Sequence, residues 1–324
     1  MTLERLKQLP KIELHCHLDG SLSRAFLQER LGRTVTDREL SVSRDCRDLA
    51  EYLEKFDLPL EALQDEEGLM GAGYDILRSM SEEQVIYAEI RFAPLLSVTG
   101  QMGTKSVIEA LLRGLEKGKA DFGVDYGVIT CAMRHHSGEQ NEEMLKAARE
   151  YLGCGVCAAD LAGAEAQYPM TEFMELFQKA RALEMPFTIH AGECGNAQNI
   201  ADAVRVGAGR IGHGIAMRGN EAVKRLVREA GIGVEMCPTS NFQTKAVNRE
   251  ADYPIREFLD AGILVSVNTD NRTVSGTSMT EELELIQRLY GITDEEIRLL
   301  MRNAARTAFL SEDRKESLLR RLSV

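Results

Sequence analysis

The chain has 324 residues, 44% of them hydrophobic, which is enough to bury a sizeable core in one large α/β domain and argues against disorder. A formal net charge of -12 excludes the clustered Lys and Arg that nucleic acid or an anionic membrane would require, leaving a small molecule as the expected partner. No apolar run approaches the roughly 20 residues that span a bilayer, and the charged start MTLERLKQLPKIE does not read as a signal peptide, so the expected location is cytoplasmic.

In chain order, short apolar and β-branched runs alternate with longer amphipathic ones. The predicted strands lie around IEL, YAEIRF, YGVITCAM, GVCAADL, FTIHA, RIGH, GVEMC and ILVSVN. Between them run helical patterns such as Phe173, Leu176, Phe177 and Ala180, which recur on one stripe. The interval from about 35 to 80 breaks the rhythm by placing two or three helical patterns between the first and second strands, as a helical lid over the strand ends would. Ser278 with Glu281 and Thr293 with Glu296 fit capping boxes, and Gly291 stops the first of these helices. The last forty or so residues read as helices only, with Ile297, Leu300, Met301 and Ala304 on one face. Eight β-α repeats point to a single (β/α)8 TIM barrel over residues 1–324, with the lid insertion after the first strand and extra C-terminal helices; an open doubly wound sheet is the alternative.

The 7 cysteines are odd in number and scattered, which reads as reduced thiols. Cys154 and Cys157 have C-x-x-C spacing in CGVCAADLAG, but no second pair accompanies them, so ordinary strand and turn positions are preferred to a zinc or redox role.

The polar chemistry collects at strand ends. His15 and His17 follow the first predicted strand, Asp160 ends the fourth, His190 and Glu193 follow the fifth, His213 the sixth and Asp270 the eighth. If ELHCH ends a strand, alternation turns His15 and His17 together toward the barrel axis and Cys16 outward to the helices. His190 and Asp270 arrive from strands that a closed barrel brings within reach. Three imidazoles and a carboxylate suit one zinc ion in a catalytic site that keeps room for water, whereas structural zinc sites are closed and cysteine-rich.

PKIELHCHLDGS, YAEIRFAP, DLAGAE, TIHAGE, RIGHG, CPTSN and SVNTD, in this order over nearly the whole chain, together resemble the adenosine deaminase family. The resemblance implies a zinc-dependent (β/α)8 barrel that hydrolyses the 6-amino group of adenosine to give inosine and ammonia. It makes His15, His17, His190 and Asp270 the ligands of one Zn2+ per chain. Glu193 corresponds to the proton donor to purine N1, and His213 to the residue that orients and deprotonates the attacking water. Asp19 corresponds to the contact to the ribose 5'-hydroxyl, Gly163 to a backbone contact to the purine, and Tyr52, Leu53 and Phe56 to a hydrophobic lid. Arg91, Arg134 and His135 lie in matching motifs and are expected to form buried salt bridges under the barrel mouth. Glu193, three residues after a ligand and buried, is also chemically suited to donate a proton to a ring nitrogen.

One position departs from the family. Its best-known members carry two consecutive aspartates after N-T, and this chain has Asp270 followed by Asn271. Purine N7 is an acceptor, to which an asparagine amide donates without prior protonation. Purine recognition is retained and the preferred purine stays open: adenosine and 2'-deoxyadenosine are expected, with adenine, AMP or a modified adenosine as alternatives, or another mononuclear-zinc barrel amidohydrolase activity. A two-metal amidohydrolase would often place a lysine at the end of the fourth strand, where this chain has DLAG. A cytidine-type deaminase would need H-x-E with P-C-x-x-C. A binding protein without turnover would be expected to lack a ligand or the acid, and all are present. The sequence leaves the oligomeric state open.

Overall fold

In the computed structural model, which describes residues 1–323 except 44, 45 and 48, eight parallel strands alternate with helices. They are β1 Lys11–His17, β2 Val85–Phe92, β3 Asp125–Met133, β4 Val156–Ala162, β5 Thr188–Ala191, β6 Arg210–His213, β7 Gly233–Met236 and β8 Leu264–Val267. Strands β1 to β4 pair in order, as do β5 to β8. Bridges Ala159↔Phe187 and Cys16↔Asp270 join the two halves at both seams, so the sheet closes on itself as a (β/α)8 barrel. All eight predicted strands are present. No helix among the described residues is long and apolar enough to cross a membrane.

Closure collects the C-terminal strand ends around one axis, and the other end is plugged from below. Ile12 and Leu14 of β1 and Tyr87 of β2 pack with Ala304, Ala305 and Leu318 of the C-terminal helices Asp294–Thr307 and Glu312–Arg321, and with Ala308 at the end of the first. Burying these side chains, at about 25 cal/mol per Å² of apolar area, is what fastens the extra helices to the barrel floor. Thr293 caps the first of them with a full capping box, while Ser278 caps helix Met279–Tyr290 through the Glu281 N–H alone.

Strand β1 carries an irregularity that decides which side chains face inward. Glu13 pairs with Ala88 and Cys16 with Ile90, so three steps on β1 match two on β2. Such a bulge shifts the alternation by one residue. Glu13, which strict alternation would put beside His15 and His17, instead lies with Cys16, where its carboxylate accepts from Thr269 and Arg272. Burial, then the Glu13 charge, pushes the Cys16 thiol up to about 12, which keeps it protonated. Cys16 therefore packs outward, and the two histidines face the axis.

Within the interval from 35 to 80, the pieces that approach the barrel mouth are the short helices Leu49–Leu53 and Asp57–Glu61 and the 3-10 turn between them. Helix Glu66–Ser81 lies elsewhere, against Thr104–Phe122 in the outer ring. Glycines make that approach possible: a Cβ on Gly114 would stand 2.0 Å from the Met70 carbonyl oxygen, and one on Gly73 2.8 Å from that of Leu111. The 3.6-residue period of helix Glu66–Ser81 is the same in the lid and in the outer ring, so the sequence alone groups it with the lid.

The close helix contact is directly testable. Gly114→Ala forces two backbones apart, and overpacking of this kind costs about 1–3 kcal/mol, so the thermal midpoint should fall by about 2 °C or more. Gly100→Ala, where no atom lies within 4 Å of the added Cβ, serves as the control. An unchanged midpoint for Gly114→Ala would contradict the packing.

Candidate active site

Four donor groups from three strand ends meet at the barrel mouth. His17 Nε2 lies 3.2 Å from His190 Nε2, and Asp270 Oδ1 lies 3.2 Å from His15 Nε2 and 3.4 Å from His17 Nε2. The four donor atoms are all within 4.8 Å of one another. His15 Nε2 is buried and has no hydrogen-bond partner. Burying an unpaired polar atom is costly, so an orphan lone pair aimed at three further donors fits a metal ligand. Burial, helped by the neighbouring His190 and His15 and opposed by Asp270, sets the His17 imidazole well below its usual value, which leaves its lone pair free. A nitrogen-rich set of three imidazoles and one carboxylate fits a divalent transition metal and suits neither Mg nor Ca.

Each donor is aimed from behind. His15 Nδ1 stands 2.8 Å from Glu235 Oε2, and His190 Nδ1 stands 2.9 Å from Asp160 Oδ2. At His15, proton donation from Nδ1 leaves Nε2 as the ligating nitrogen, and at His190 the Asp160 carboxylate favours the same tautomer by its charge. Burial opposes ionisation of Glu235, but Arg91, Arg210 and His15 outweigh it and hold the carboxyl well below its usual range. Asp160 is likewise depressed, burial being overcome by His190 and Arg91. Burial is also outweighed at Asp270, by the hydrogen bond and charge of His15 and the charges of His213 and His17. Its second oxygen accepts from Ser240 Oγ at 2.6 Å. On β6, Gly212 leaves room for His15: a Cβ there would lie 3.1 Å from the His15 ring.

Two of the strand-end residues adopt left-handed backbone, His213 at φ 64° and Asp270 at φ 62°. Non-glycine residues seldom do so without restraint from their surroundings. Asp270 is restrained on both sides, its N–H donating to the His15 carbonyl at 2.9 Å and its carbonyl accepting from His17 N at 2.7 Å. His213 is held through Nδ1 by the Asn241 amide at 3.0 Å, and its Nε2 faces Glu193 Oε2 at 3.7 Å.

A cavity of about 340 Å³ opens above these groups. His17, Asp19, Tyr52, Leu53, Phe56, Gly163, His190, Glu193, His213, Asp270 and Asn271 all line it, and His15 lies beneath, fully buried. The residues picked from the sequence are thus brought to one chamber. Asp19 Oδ1 and Asn271 Oδ1 are buried without a hydrogen-bond partner. Burial raises the Asp19 carboxyl to about 6, against the lowering effect of its own and the Gly20 N–H groups. A Cβ on Gly20 would collide with the Asn271 amide oxygen at 1.8 Å, so glycine is required where the first turn meets the last. Gly163 has φ 106° and leaves the chamber wall bare. Tyr52 is buried, its hydroxyl 2.7 Å from Ser275 Oγ, whereas Leu53 is 41% exposed at the rim. Among the described residues, no lysine or arginine lines the chamber.

Two of the expected buried salt bridges do not form, and several residues escape a reading of the sequence. Arg91 does form buried salt bridges, at 2.9 Å to Asp160 and 2.8 Å to Glu235. Arg134 instead gives its donors to the backbone carbonyls of Tyr168 and His190. His135 lies past the end of β3, where it is exposed and lines the chamber. Glu235, Arg210 and Glu165 went unnoticed. The available signal was an acid inside the apolar runs GVEM and LAGAEA, where an ionisable group is retained only if paired.

A profile of the adenosine deaminase family matches residues 10–323. An adenosine deaminase of Enterococcus faecalis is 41% identical over 98% of this chain and 97% of its own length. Among solved structures, an adenine deaminase from Arthrobacter aurescens superposes with a TM-score of 0.87 at 26% identity, covering 97% of this chain and 98% of its own. An N6-mAMP deaminase from Arabidopsis gives a TM-score of 0.86 at 26% identity, with 99% of each chain covered. With a closed barrel, four convergent donors and a family match over almost its whole length, this chain belongs to the adenosine deaminase family.

Proposed function

We propose that the protein is a cytoplasmic enzyme holding one zinc ion, which hydrolyses adenosine and 2'-deoxyadenosine to inosine and 2'-deoxyinosine plus ammonia. The observation that carries this reading is the meeting of four metal-donor atoms with Glu193, His213, Asp19 and Asn271 around one chamber. The odd number and scatter of the 7 cysteines agree with a reducing compartment.

His15, His17, His190 and Asp270 would hold the ion. Bound zinc acidifies water toward a pKa of about 7, so that hydroxide becomes available at neutral pH. The remaining work falls to the chain. His213 and the ionised Asp270 carboxylate orient the attacking water and accept its proton. Glu193 donates a proton to purine N1, which lets C6 accept the new C–O bond and a negative charge that would otherwise reside on the ring. The C6–N bond then breaks. Of the two water protons, one leaves on ammonia and the other restores Glu193, whose own proton stays on N1 of the product. Asn271 offers its amide to N7, Gly163 its backbone to the purine, and Asp19 accepts from the ribose 5'-hydroxyl. Tyr52, Leu53 and Phe56 form an apolar lid that limits solvent access.

A nucleoside is preferred to a nucleotide on electrostatic grounds. A 5'-phosphate would sit beside Asp19 in a chamber with no lysine or arginine lining among the described residues. Like charges in a partly dehydrated site repel strongly.

Chelation of the metal should abolish deamination, and readdition of zinc should restore it; His15→Ala should lose both metal and activity. Full turnover by verified metal-free protein would refute the mechanism. Glu193→Gln is expected to retain one metal per chain while kcat falls at least about 10²-fold. A rate near wild type would remove Glu193 from the chemistry. Finally, kcat/KM for AMP and for adenine should lie at least about 10²-fold below that for adenosine. Asp19→Ala should lower the nucleoside rates and spare the slow rate on adenine; equal rates on all three substrates would reassign the enzyme to a neighbouring aminopurine.

A further inference from the structure

The turn that carries Glu193 contains nothing in its own sequence to hold it still. It follows β5 directly, passes through Gly192 at φ 76°, and ends before helix Ala197–Val206. Gly192 is obligatory, since a Cβ there would meet Ile200 at 2.4 Å. Three successive N–H groups, at 192 to 194, point away from the strand ladder and need an acceptor.

That acceptor is Glu165, a side chain with 3% exposure in the loop after β4. One oxygen accepts from Gly192 N at 2.6 Å and from the Asn199 amide at 2.7 Å. The other accepts from Glu193 N at 2.9 Å and Cys194 N at 3.0 Å. All four partners are donors, so only a group with two acceptor oxygens satisfies them. Asn199 cannot turn its amide over to compensate, because its own oxygen accepts from Met170 N at 2.9 Å. From the opposite side, Arg134 donates to the His190 carbonyl at 2.7 Å. The peptide between a metal donor and the proposed acid is thereby clamped at both ends.

We propose that Glu165 is a positioning residue for Glu193: its buried carboxylate fixes the turn 192–194 and so places the Glu193 carboxyl against the purine ring. The assignment rests on the deaminase reading above. Glutamine at 165 has nearly the same shape but must present an NH2 to one pair of N–H donors. The turn then has to shift, and a misplacement on the order of 1 Å costs up to about 10²-fold in rate. Zinc binding is untouched, because none of the four ligands hydrogen-bonds to Glu165.

The test is a double-variant cycle on zinc-loaded protein, comparing wild type, Glu165→Gln, Glu193→Gln and the double variant for kcat, KM and metal per chain. Glu165→Gln should lower kcat by about 10- to 100-fold, with KM within about threefold and metal retained. In the Glu193→Gln background, the same change should cost less than about threefold, because the group it positions is already gone. An equal loss in both backgrounds, or a loss carried by KM or by metal content, overturns the positioning role. If Glu165→Gln does not fold, Glu165→Asp, which keeps the charge but cannot reach both donor pairs, is taken through the same cycle. Failure of both to fold makes Glu165 a structural residue and refutes the proposal. A wild type that deaminates no aminopurine refutes the functional reading and the Glu165 assignment together, whereas an active wild type with an unaltered Glu165→Gln refutes the assignment alone.

Discussion

The carboxylate of Glu235, buried on the axis of the barrel, is where fold and chemistry depend on each other. Its Oε2 receives His15 Nδ1 and Arg91, each at 2.8 Å, and its Oε1 receives Arg210 and, at 3.0 Å, Thr188 Oγ1. Arg91 continues to Asp160, which stands behind His190, so a single guanidinium couples the outer partners of two imidazoles. Arg210 continues to Glu89 and to the Thr307 carbonyl, tying the same network to the C-terminal helix below. Charges this deep repay their dehydration only as a complete set, and removing one member of such a set typically costs about 3–5 kcal/mol. The network contributes less to net stability than its bonds suggest, and more to holding four donors in one geometry.

Above that layer, the site is built on strained or cramped backbone that the surroundings over-determine. His213 and Asp270 are left-handed; Gly20 admits Asn271 where any side chain would collide, and Gly212 leaves His15 room that a Cβ would make tight. Such positions each cost stability and persist because neighbouring hydrogen bonds leave no alternative. The outcome is that the chemical groups sit on short, rigid strand ends, while the apolar rim from 52 to 60 is made of short helices at the mouth.

The strand ends were legible in the sequence because the relevant information is local. Alternation in ELHCH separates the histidines from Cys16, and each short apolar run stops at its polar residue. Adding the order of the motifs identified the family from the same residues. What stayed illegible depends on partners distant along the chain. The bulge between Glu13 and Cys16 is visible only against β2, and local alternation would have put Glu13 on the wrong face. Helix Glu66–Ser81 has the period of any amphipathic helix, and only Gly114 across from it reveals the outer-ring position. Arg134 and Glu165 lie within recognisable motifs, yet their hydrogen bonds go to backbone groups of another turn, which no side-chain pattern announces.

The central claim is that one ion, held by the donors that Glu235 and Asp160 aim, organises the chemistry. Elemental analysis combined with anomalous diffraction at the zinc edge on crystals of the purified protein addresses it most directly. The account predicts one zinc per chain, bonded at about 2.0–2.2 Å to Nε2 of His15, His17 and His190 and to a carboxylate oxygen of Asp270. Two ions per chain, or a single ion bound away from these four residues, would contradict it.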